Sequence, residues 1–290
     1  MAAPHEPEVS TRTLVESMIR EDATIDAGEL YDVANALGMT DQQVRLCIKR
    51  LAADGRFVQE GRGRKAVLHA TATTRAAIEP DLEFIRFMYA QDRGQVSWDG
   101  VWHLAAFAVP ESARHARDAM RDTIVGLGGA PIQGGLYVCA NPWEDRLHAA
   151  ADDLGVTANI TTATSTDLRV GGVHEPRELA ARLWPLDRIA DGHRRLLATA
   201  EGFLRELRTA AHTRRLTIAV ALAAEFTRAV EPDPLLPPQL LPQPWIGTAA
   251  RASTAACWAE LRKSEPAQQI RLFRWYSEVV GEVAATTSPP

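Results

Sequence analysis

Hydrophobic residues recur at helical spacing three times within the first 55 residues of the chain. Apolar side chains three and four residues apart share one helix face, which predicts helices over Val9 to Arg20, over Ala27 to Leu37, and from Thr40 onward. Gly38 occupies the position of a C-terminal cap for the second helix. The Thr40 hydroxyl can accept from the backbone N–H of Gln43 in a capping box. The chain therefore begins with three predicted helices, the last two joined by a tight turn.

The third predicted helix has an apolar face and a polar face. The apolar positions, which predict its buried side, are Val44, Cys47, Ile48 and Leu51. Gln and Arg side chains can hydrogen-bond to base edges in the DNA major groove, and Lys and Arg neutralise phosphates. The residues of this helix predicted to contact DNA are Gln42, Gln43, Arg45, Lys49 and Arg50.

A basic hairpin is predicted directly after this helix. Two short strands, Arg56 to Glu60 and Lys65 to Ala70, flank a turn that contains Gly61 and Gly63. Glycine permits close approach of backbone to phosphate, and the cations Arg62, Arg64 and Lys65 are predicted to contact the DNA backbone. Three helices and such a hairpin predict a winged helix-turn-helix over residues 1–80. The alternative is a solvated hairpin on a helical protein-interaction domain.

The pattern changes from Trp98 onward. It predicts a strand, a helix, one or two strands, a helix and a strand, over residues 101–109, 111–127, 130–140, 143–154 and 158–168. This βαββαβ order is that of a ferredoxin-like domain, assigned to residues 81–174. Within its first helix, Arg114, Arg117 and Arg121 recur at helical spacing. This stripe is interpreted as a solvated face, with a dimer or DNA-backbone contact as the alternative.

Residues 175–290 are predicted to form a helical C-terminal domain, which makes the whole chain α+β in class. Asp191 is placed to cap a helix that continues through Phe203. The Pro-rich stretch from Pro232 to Pro244 cannot support a helix interior and predicts a turn-rich connection into a helix over Ala249 to Arg262. This stretch is interpreted as core packing or, alternatively, as one wall of a ligand pocket.

Charge is distributed unevenly along the chain, whose net charge is −5. Residues 41–80 hold 8 basic and 4 acidic residues, whereas residues 1–40 hold 2 and 8. This short basic window inside an acidic neighbourhood coincides with the predicted recognition helix and wing, as a DNA-binding element requires.

The sequence shows no pattern typical of a metal, cofactor or membrane-spanning site. The histidines form no HExxH motif and no zinc spacing, and Cys47, Cys139 and Cys257 are interpreted as reduced core thiols. The longest apolar runs are too short for a bilayer, and the first residues lack a secretory signal. We therefore expect a cytoplasmic protein that is not an enzyme and needs no cofactor.

Several segments, read in order, resemble the PaaX-like family of phenylacetic acid catabolism repressors. They are Val44–Leu51, Asp54–Gly55, Gly63–Lys65, Trp98–Trp102, Val109–Glu111, Leu127–Gly128, Gly135–Val138, Asp233–Pro237, Leu240–Pro242 and Trp245–Gly247. The resemblance implies a winged-helix DNA reader, a central domain similar to the CRISPR-associated ferredoxin-like nuclease, and a helical C-terminal domain. It also implies a dimeric repressor released by an acyl-CoA, which is phenylacetyl-CoA in the best-known case. The chain departs from the family at Lys49, where Ser or Thr is usual, and at Ala66 to Leu68, where an aromatic residue is usual.

Nuclease activity is not expected from this sequence. A metal-dependent nuclease of that fold needs an acidic residue near the end of its first strand, because oxygen ligands suit hard cations. The predicted strand ends in Ala108-Val109-Pro110, and Asp99 precedes it as a turn residue. The favoured hypothesis is a dimeric, effector-responsive repressor that binds duplex operator DNA. The alternative is a helical protein-interaction or small-molecule-binding module without DNA binding.

Overall fold

The computed structural model describes residues 8–77, 82–110, 113–263 and 270–272, and it has a mixed α+β fold. Helices in the described ranges are α1 Thr11–Ser17, α2 Ala27–Ala36, α3 Asp41–Ala53, α4 Ala72–Ala77, α5 Leu82–Asp92, α6 Arg114–Gly126, α7 Glu144–Asp153, α8 Pro176–Leu183, α9 Leu186–Leu207, α10 His212–Val230 and α11 Ile246–Leu261. Strands are β1 Thr24–Asp26, β2 Phe57–Glu60, β3 Val67–Ala70, β4 Trp102–Phe107, β5 Ala130–Gln133, β6 Leu136–Cys139 and β7 Ile160–Ser165.

Side-chain caps begin the first three helices. The Ser10 hydroxyl accepts from the Thr13 backbone N–H at 3.0 Å, and Asp26 accepts from Glu29 at 2.8 Å. At α3, the predicted capping box of Thr40 with Gln43 is confirmed, because each side chain bonds the other residue's backbone N–H. These caps satisfy N–H groups that have no partner within the helix, and so they fix where each helix starts.

A three-stranded antiparallel sheet accompanies these helices, in the order β1-β3-β2. The second hairpin strand is shorter than the predicted Lys65 to Ala70, because Gly63–Lys65 form a 3-10 turn before β3 begins. Leu68 in β3 lies opposite Ile25 in β1, and both are buried. The hairpin is thereby joined to the core of the N-terminal helices.

The elements over residues 102–165 follow the order βαββαβ and form a four-stranded antiparallel sheet, β5-β6-β4-β7. Alternate residues of β4 point to opposite faces, so Trp102 joins one buried cluster and Ala105 joins another. Gly134 and Gly135 have positive φ and make the turn that divides residues 130–140 into two strands. Glu111, at the predicted start of the first helix, lies outside the described residues.

By contacts between Cα atoms, the chain divides into two compact units. The first comprises Met1–Arg86, Arg194–Arg228 and Gly247–Pro290, and the second comprises Phe87–His193 and Ala229–Ile246.

Asp191 does not cap a helix, and that prediction was wrong. Helix α9 already begins at Leu186, directly after Pro185, a residue that favours helix starts and interrupts helix interiors.

The Pro-rich segment is ordered and packs into the core of the second unit. Leu236, Leu240 and Trp245 belong to the buried cluster that also contains Trp102. The Asn141 side-chain amide donates to the Leu235 carbonyl at 2.9 Å, and so does that of Gln91. The interpretation of this segment as core packing therefore holds for its buried leucines and for Trp245.

No helix in the described ranges has the length and apolar character needed to cross a bilayer.

Candidate nucleic-acid interface

Helix α3 presents a polar face to solvent and an apolar face to the core. Val44, Ile48 and Leu51 are buried, whereas Cys47, which was also predicted for the buried side, is only partly buried. All five residues of this helix that were predicted to contact DNA are exposed, namely Gln42, Gln43, Arg45, Lys49 and Arg50. The period of 3.6 residues therefore divides this helix as the sequence pattern predicts.

A groove of about 380 Å³ runs between α3 and the β2–β3 hairpin. Arg45 and Lys49 line it from the helix, and Arg62 lines it from the hairpin. The remaining lining residues are Ala27, Tyr31, Ile48, Ala52, Gln59, Gly63, Ala66 and Leu68. Three cations from two separate elements thus share a concave surface with an apolar floor.

The three groove cations form no ion pair with any residue in the part of the chain that the structure describes. Two other arginines of the same unit are paired: Arg56 contacts Glu16 at 3.2 Å, and Arg20 contacts Glu29 at 3.0 Å. Positive charge that no neighbouring carboxylate neutralises is available to an anion, and a phosphate oxygen accepts strong hydrogen bonds from Arg and Lys. The groove is therefore suited to an anionic ligand.

Arg64, in the 3-10 turn of the hairpin, packs its side chain against helix α2 and does not line the groove. Its guanidinium forms an ion pair with Asp32, donates to the Gly28 carbonyl at 3.4 Å, and lies 5.6 Å from the centre of the Tyr31 ring. A Cβ at position 28 would lie 3.0 Å from the Arg64 carbonyl oxygen, so Gly28 permits this close approach. The side chain is still 47% exposed and can reach a second partner.

The other predicted contacts are not part of the groove. The Gln43 side-chain oxygen accepts from the Thr40 N–H at 2.8 Å, so its acceptor is used in the cap while its amide N–H groups remain available. Gln42 is exposed in the first turn of α3 and Arg50 in the last turn. Lys65 is exposed in the 3-10 turn of the hairpin.

Four residues of this surface were not identified from the sequence. Gln59 and Tyr31 line the groove, Asp32 pairs with Arg64, and Leu46 is half-exposed on the outer side of α3. An exposed leucine on an otherwise polar helix face is a signal that the sequence does contain. No sequence signal identifies Asp32, since it meets Arg64 only through folding.

The three cysteines lie in surroundings that raise the pKa of the thiol. Burial raises the pKa of Cys47, which lies on α3, and the Glu16 carboxylate raises it further. Burial also raises the pKa of Cys139 and that of Cys257 to about 12. Nucleophilic chemistry requires a thiolate, which none of these environments favours. No group of His, Cys, Asp and Glu suited to a metal ion occurs among the residues that the structure describes.

Comparison with solved structures gives a similar fold. The chain is similar to the uncharacterized protein Rv0674 from Mycobacterium tuberculosis, with a TM-score of 0.52 and 19% sequence identity. The match covers 88% of this chain and 98% of the other. At this identity the likeness concerns the fold alone. No curated protein matches the chain.

Two protein-family models match adjoining parts of the chain. The model of the PaaX protein central Cas2-like domain matches residues 95–180, and that of the PaaX-like protein C-terminal domain matches residues 184–270. Together they span more than half of the chain, and they indicate a protein like the regulators of phenylacetic acid degradation. The resemblance identified from the ordered sequence segments is thereby confirmed. The chain belongs to the PaaX-like family.

Proposed function

We propose that the protein is a transcriptional regulator that binds duplex DNA through α3 and the β2–β3 hairpin. The observation that carries this proposal is the convergence of Arg45, Lys49 and Arg62 on one groove without an acidic partner among the described residues. The proposed DNA contacts are Gln42, Gln43, Arg45, Lys49, Arg50, Arg62, Arg64 and Lys65. In this arrangement α3 enters the major groove and the hairpin contacts the adjacent backbone.

The architecture supports this assignment. The order of helices α1 to α3 and the β1-β3-β2 sheet support a winged helix-turn-helix, in which β2 and β3 would form the wing. The βαββαβ order and the strand order β5-β6-β4-β7 support a ferredoxin-like central domain. The proposed domains are residues 1–80, 81–174 and 175–290.

We further propose a cytoplasmic dimeric repressor that an aromatic acyl-CoA, or a related small molecule, releases from its operator. Family membership supports this extension. A hundredfold loss of operator occupancy requires the effector to favour the DNA-incompetent state by about 2.7 kcal/mol. Because a CoA thioester carries phosphates and an apolar acyl group, its site would combine arginines with an apolar slot.

The first experiment is an anisotropy titration of the purified protein against its own promoter region at several salt concentrations. Each phosphate contact releases counterions, so log K should fall with log salt by about 0.9 per contact. We expect tight, strongly salt-dependent binding that exceeds binding to random DNA. Binding no tighter than to random DNA under any condition would favour a protein-interaction or small-molecule-binding module.

A matched pair of variants tests the groove itself. Lys49→Ala removes one unpaired cation of the groove and should weaken binding and make the salt dependence shallower. Lys263→Ala, two residues after the end of α11, removes an exposed cation that is paired with Glu260 at 2.6 Å, and it serves as the control. Equal effects of the two changes would show that overall charge, rather than the groove, governs binding.

The effector is tested on the preformed complex of protein and promoter DNA. A panel of aromatic acyl-CoA thioesters is added, with free CoA and the free acids as controls. Release by one thioester, and by neither of its components alone, is the expected result. If DNA binding is established but no thioester releases the complex, the effector class is wrong while the DNA-binding proposal stands.

A further inference from the structure

Leu46 is a large apolar residue on the outer face of α3. Its exposed fraction is 47%, whereas its helix neighbours Val44 and Ile48 are at most 6% exposed. The core of the N-terminal helices is therefore built without Leu46. The other exposed large hydrophobic residues among those described are Val58 on β2 and Val125 on α6.

Polar side chains surround Leu46 on the helix surface. Gln42 lies one turn before it, and Lys49 and Arg50 lie one turn after it, and all three are exposed. Residues three and four positions apart are neighbours on a helix, so Leu46 lies in the middle of the face assigned to DNA. It is also the sixth residue of a helix that begins at Asp41, within the N-terminal half from which recognition helices contact base edges.

The major groove offers one apolar group to such a side chain. Thymine carries a C5-methyl group there, whereas the other base edges present hydrogen-bond donors and acceptors. A leucine side chain can make no hydrogen bond, so its only favourable contact with a base edge is with that methyl group. A donor or acceptor facing Leu46 would instead lose water without gaining a partner.

We infer that Leu46 is a specificity-determining residue that contacts a thymine methyl group in each half-site of the operator. This inference rests on the proposed function. Because Gln42 is one turn away and can bond adenine in a bidentate manner, the preferred thymine should lie within a few base pairs of an adenine contacted by Gln42.

Replacing thymine by uracil in the DNA tests the inference, because it removes the methyl group and leaves the hydrogen-bonding edge unchanged. A binding sequence is first selected from random duplexes with the full-length protein. Each thymine of that sequence is then replaced in turn by deoxyuridine, and dissociation constants are measured by anisotropy. One position per half-site should lose about fourfold in affinity, the effect of one buried methyl group.

The Leu46→Ser variant completes the test, with Val125→Ser as the control because it replaces an exposed aliphatic residue on α6. Leu46→Ser should bind the thymine and uracil duplexes equally well, whereas Val125→Ser should retain the fourfold difference. Circular dichroism and sedimentation confirm that both variants keep the fold and the oligomeric state of the parent.

The outcomes separate the inference from the proposal beneath it. Selection that enriches no sequence would overturn both. A specific duplex that tolerates uracil at every position would overturn the inference alone, and so would a Leu46→Ser variant that still discriminates. A changed oligomeric state in Leu46→Ser would place Leu46 in a contact between protein chains and would equally overturn it.

Discussion

Helices α3 and α6 carry similar basic stripes in sequence, but the structure gives their charges different surroundings. On α3, Arg45 and Lys49 face a groove without an ion-pair partner in the described part of the chain. On α6, the Nε atoms of Arg114 and Arg117 lie 3.7 and 3.9 Å from the Asp118 carboxylate, and Arg121 also contacts it. One stripe therefore remains available for an anion, whereas the other is partly neutralised by a residue of its own helix.

The position of the acidic residues explains this difference. Asp118 lies four residues after Arg114 and three before Arg121, so it shares their face of α6. The acids of α3 lie at its ends, with Asp41 in the first turn and Asp54 as the C-terminal cap. Basic spacing alone thus does not identify a nucleic-acid contact. The solvated-face interpretation of α6 is the one that the Asp118 contacts support.

The largest expected effect is a loss of folding stability from a change on the buried face of α6. Comparison with a change on the exposed face of the same helix distinguishes the contribution of packing from that of charge. Met120 is fully buried, and Met120→Ala should lower the free energy of unfolding by about 2–5 kcal/mol, because it leaves a cavity. Urea titration followed by circular dichroism measures this loss. Arg114→Ala on the exposed face is the control and should change stability by about 0.5 kcal/mol or less. A comparable loss from Arg114→Ala would show that the charged network stabilises the helix.

The next effect concerns the unpaired stripe of α3. If Arg45 contacts a base edge, Arg45→Ala should cost about 1–3 kcal/mol on the specific sequence and less on random DNA. The measurement is anisotropy on both duplexes at fixed salt. The combined change of Arg114 and Arg121 to Ala on α6 should leave the specific affinity nearly unchanged. Equal losses on specific and random DNA for Arg45→Ala would exclude its role in reading bases.

A smaller effect on DNA affinity is expected at Arg64. Its guanidinium is paired with Asp32, as the arginines of α6 are paired with Asp118. Arg64→Ala should weaken binding to all sequences alike and lower the salt slope by about 0.9, as the loss of one phosphate contact requires. Salt titration on specific and random duplexes measures both quantities. Weaker binding with an unchanged slope would mean that Arg64 only holds the hairpin against α2.

The smallest effect on DNA affinity should follow from removing the ion pairs of the arginines on α6. Asp118→Asn removes the carboxylate that these arginines share, and it should strengthen binding to random DNA by less than about 1 kcal/mol, mainly at low salt. Asp122→Asn changes the net charge equally on the same helix and is the control. If both changes strengthen binding equally, the arrangement around Asp118 has no special role.

Features that depend on residues near one another in sequence were predictable. The capping box of Thr40 and Gln43 needs only side chains and N–H groups three residues apart. The apolar face of α3 follows from helical periodicity, and the order of elements over residues 102–165 follows from changes of that periodicity. Family membership was also predictable, because it depends on ordered local segments.

The start of α9 and the length of β3 were less accessible to sequence reasoning. Pro185 precedes α9 and favours its start at Leu186, whereas the prediction rested on the capping preference of Asp191 alone. The second hairpin strand was predicted to begin at Lys65, whereas Gly63–Lys65 form a 3-10 turn that packs against α2 and β3 begins only at Val67. Both differences arise where two local preferences compete and packing selects one of them.

The sequence by itself determined the three N-terminal helices, the basic window and the family, since each is encoded within a few neighbouring residues. Tertiary structure decided which charges are free. Arg62 comes together with Arg45 and Lys49 only when the hairpin folds beside α3, and Arg64 meets Asp32 across 32 residues of chain. An ion pair depends on distances in space, and its energy falls steeply as water separates the charges. Spacing along the chain therefore predicts where a cation is, whereas the fold determines what it can bind.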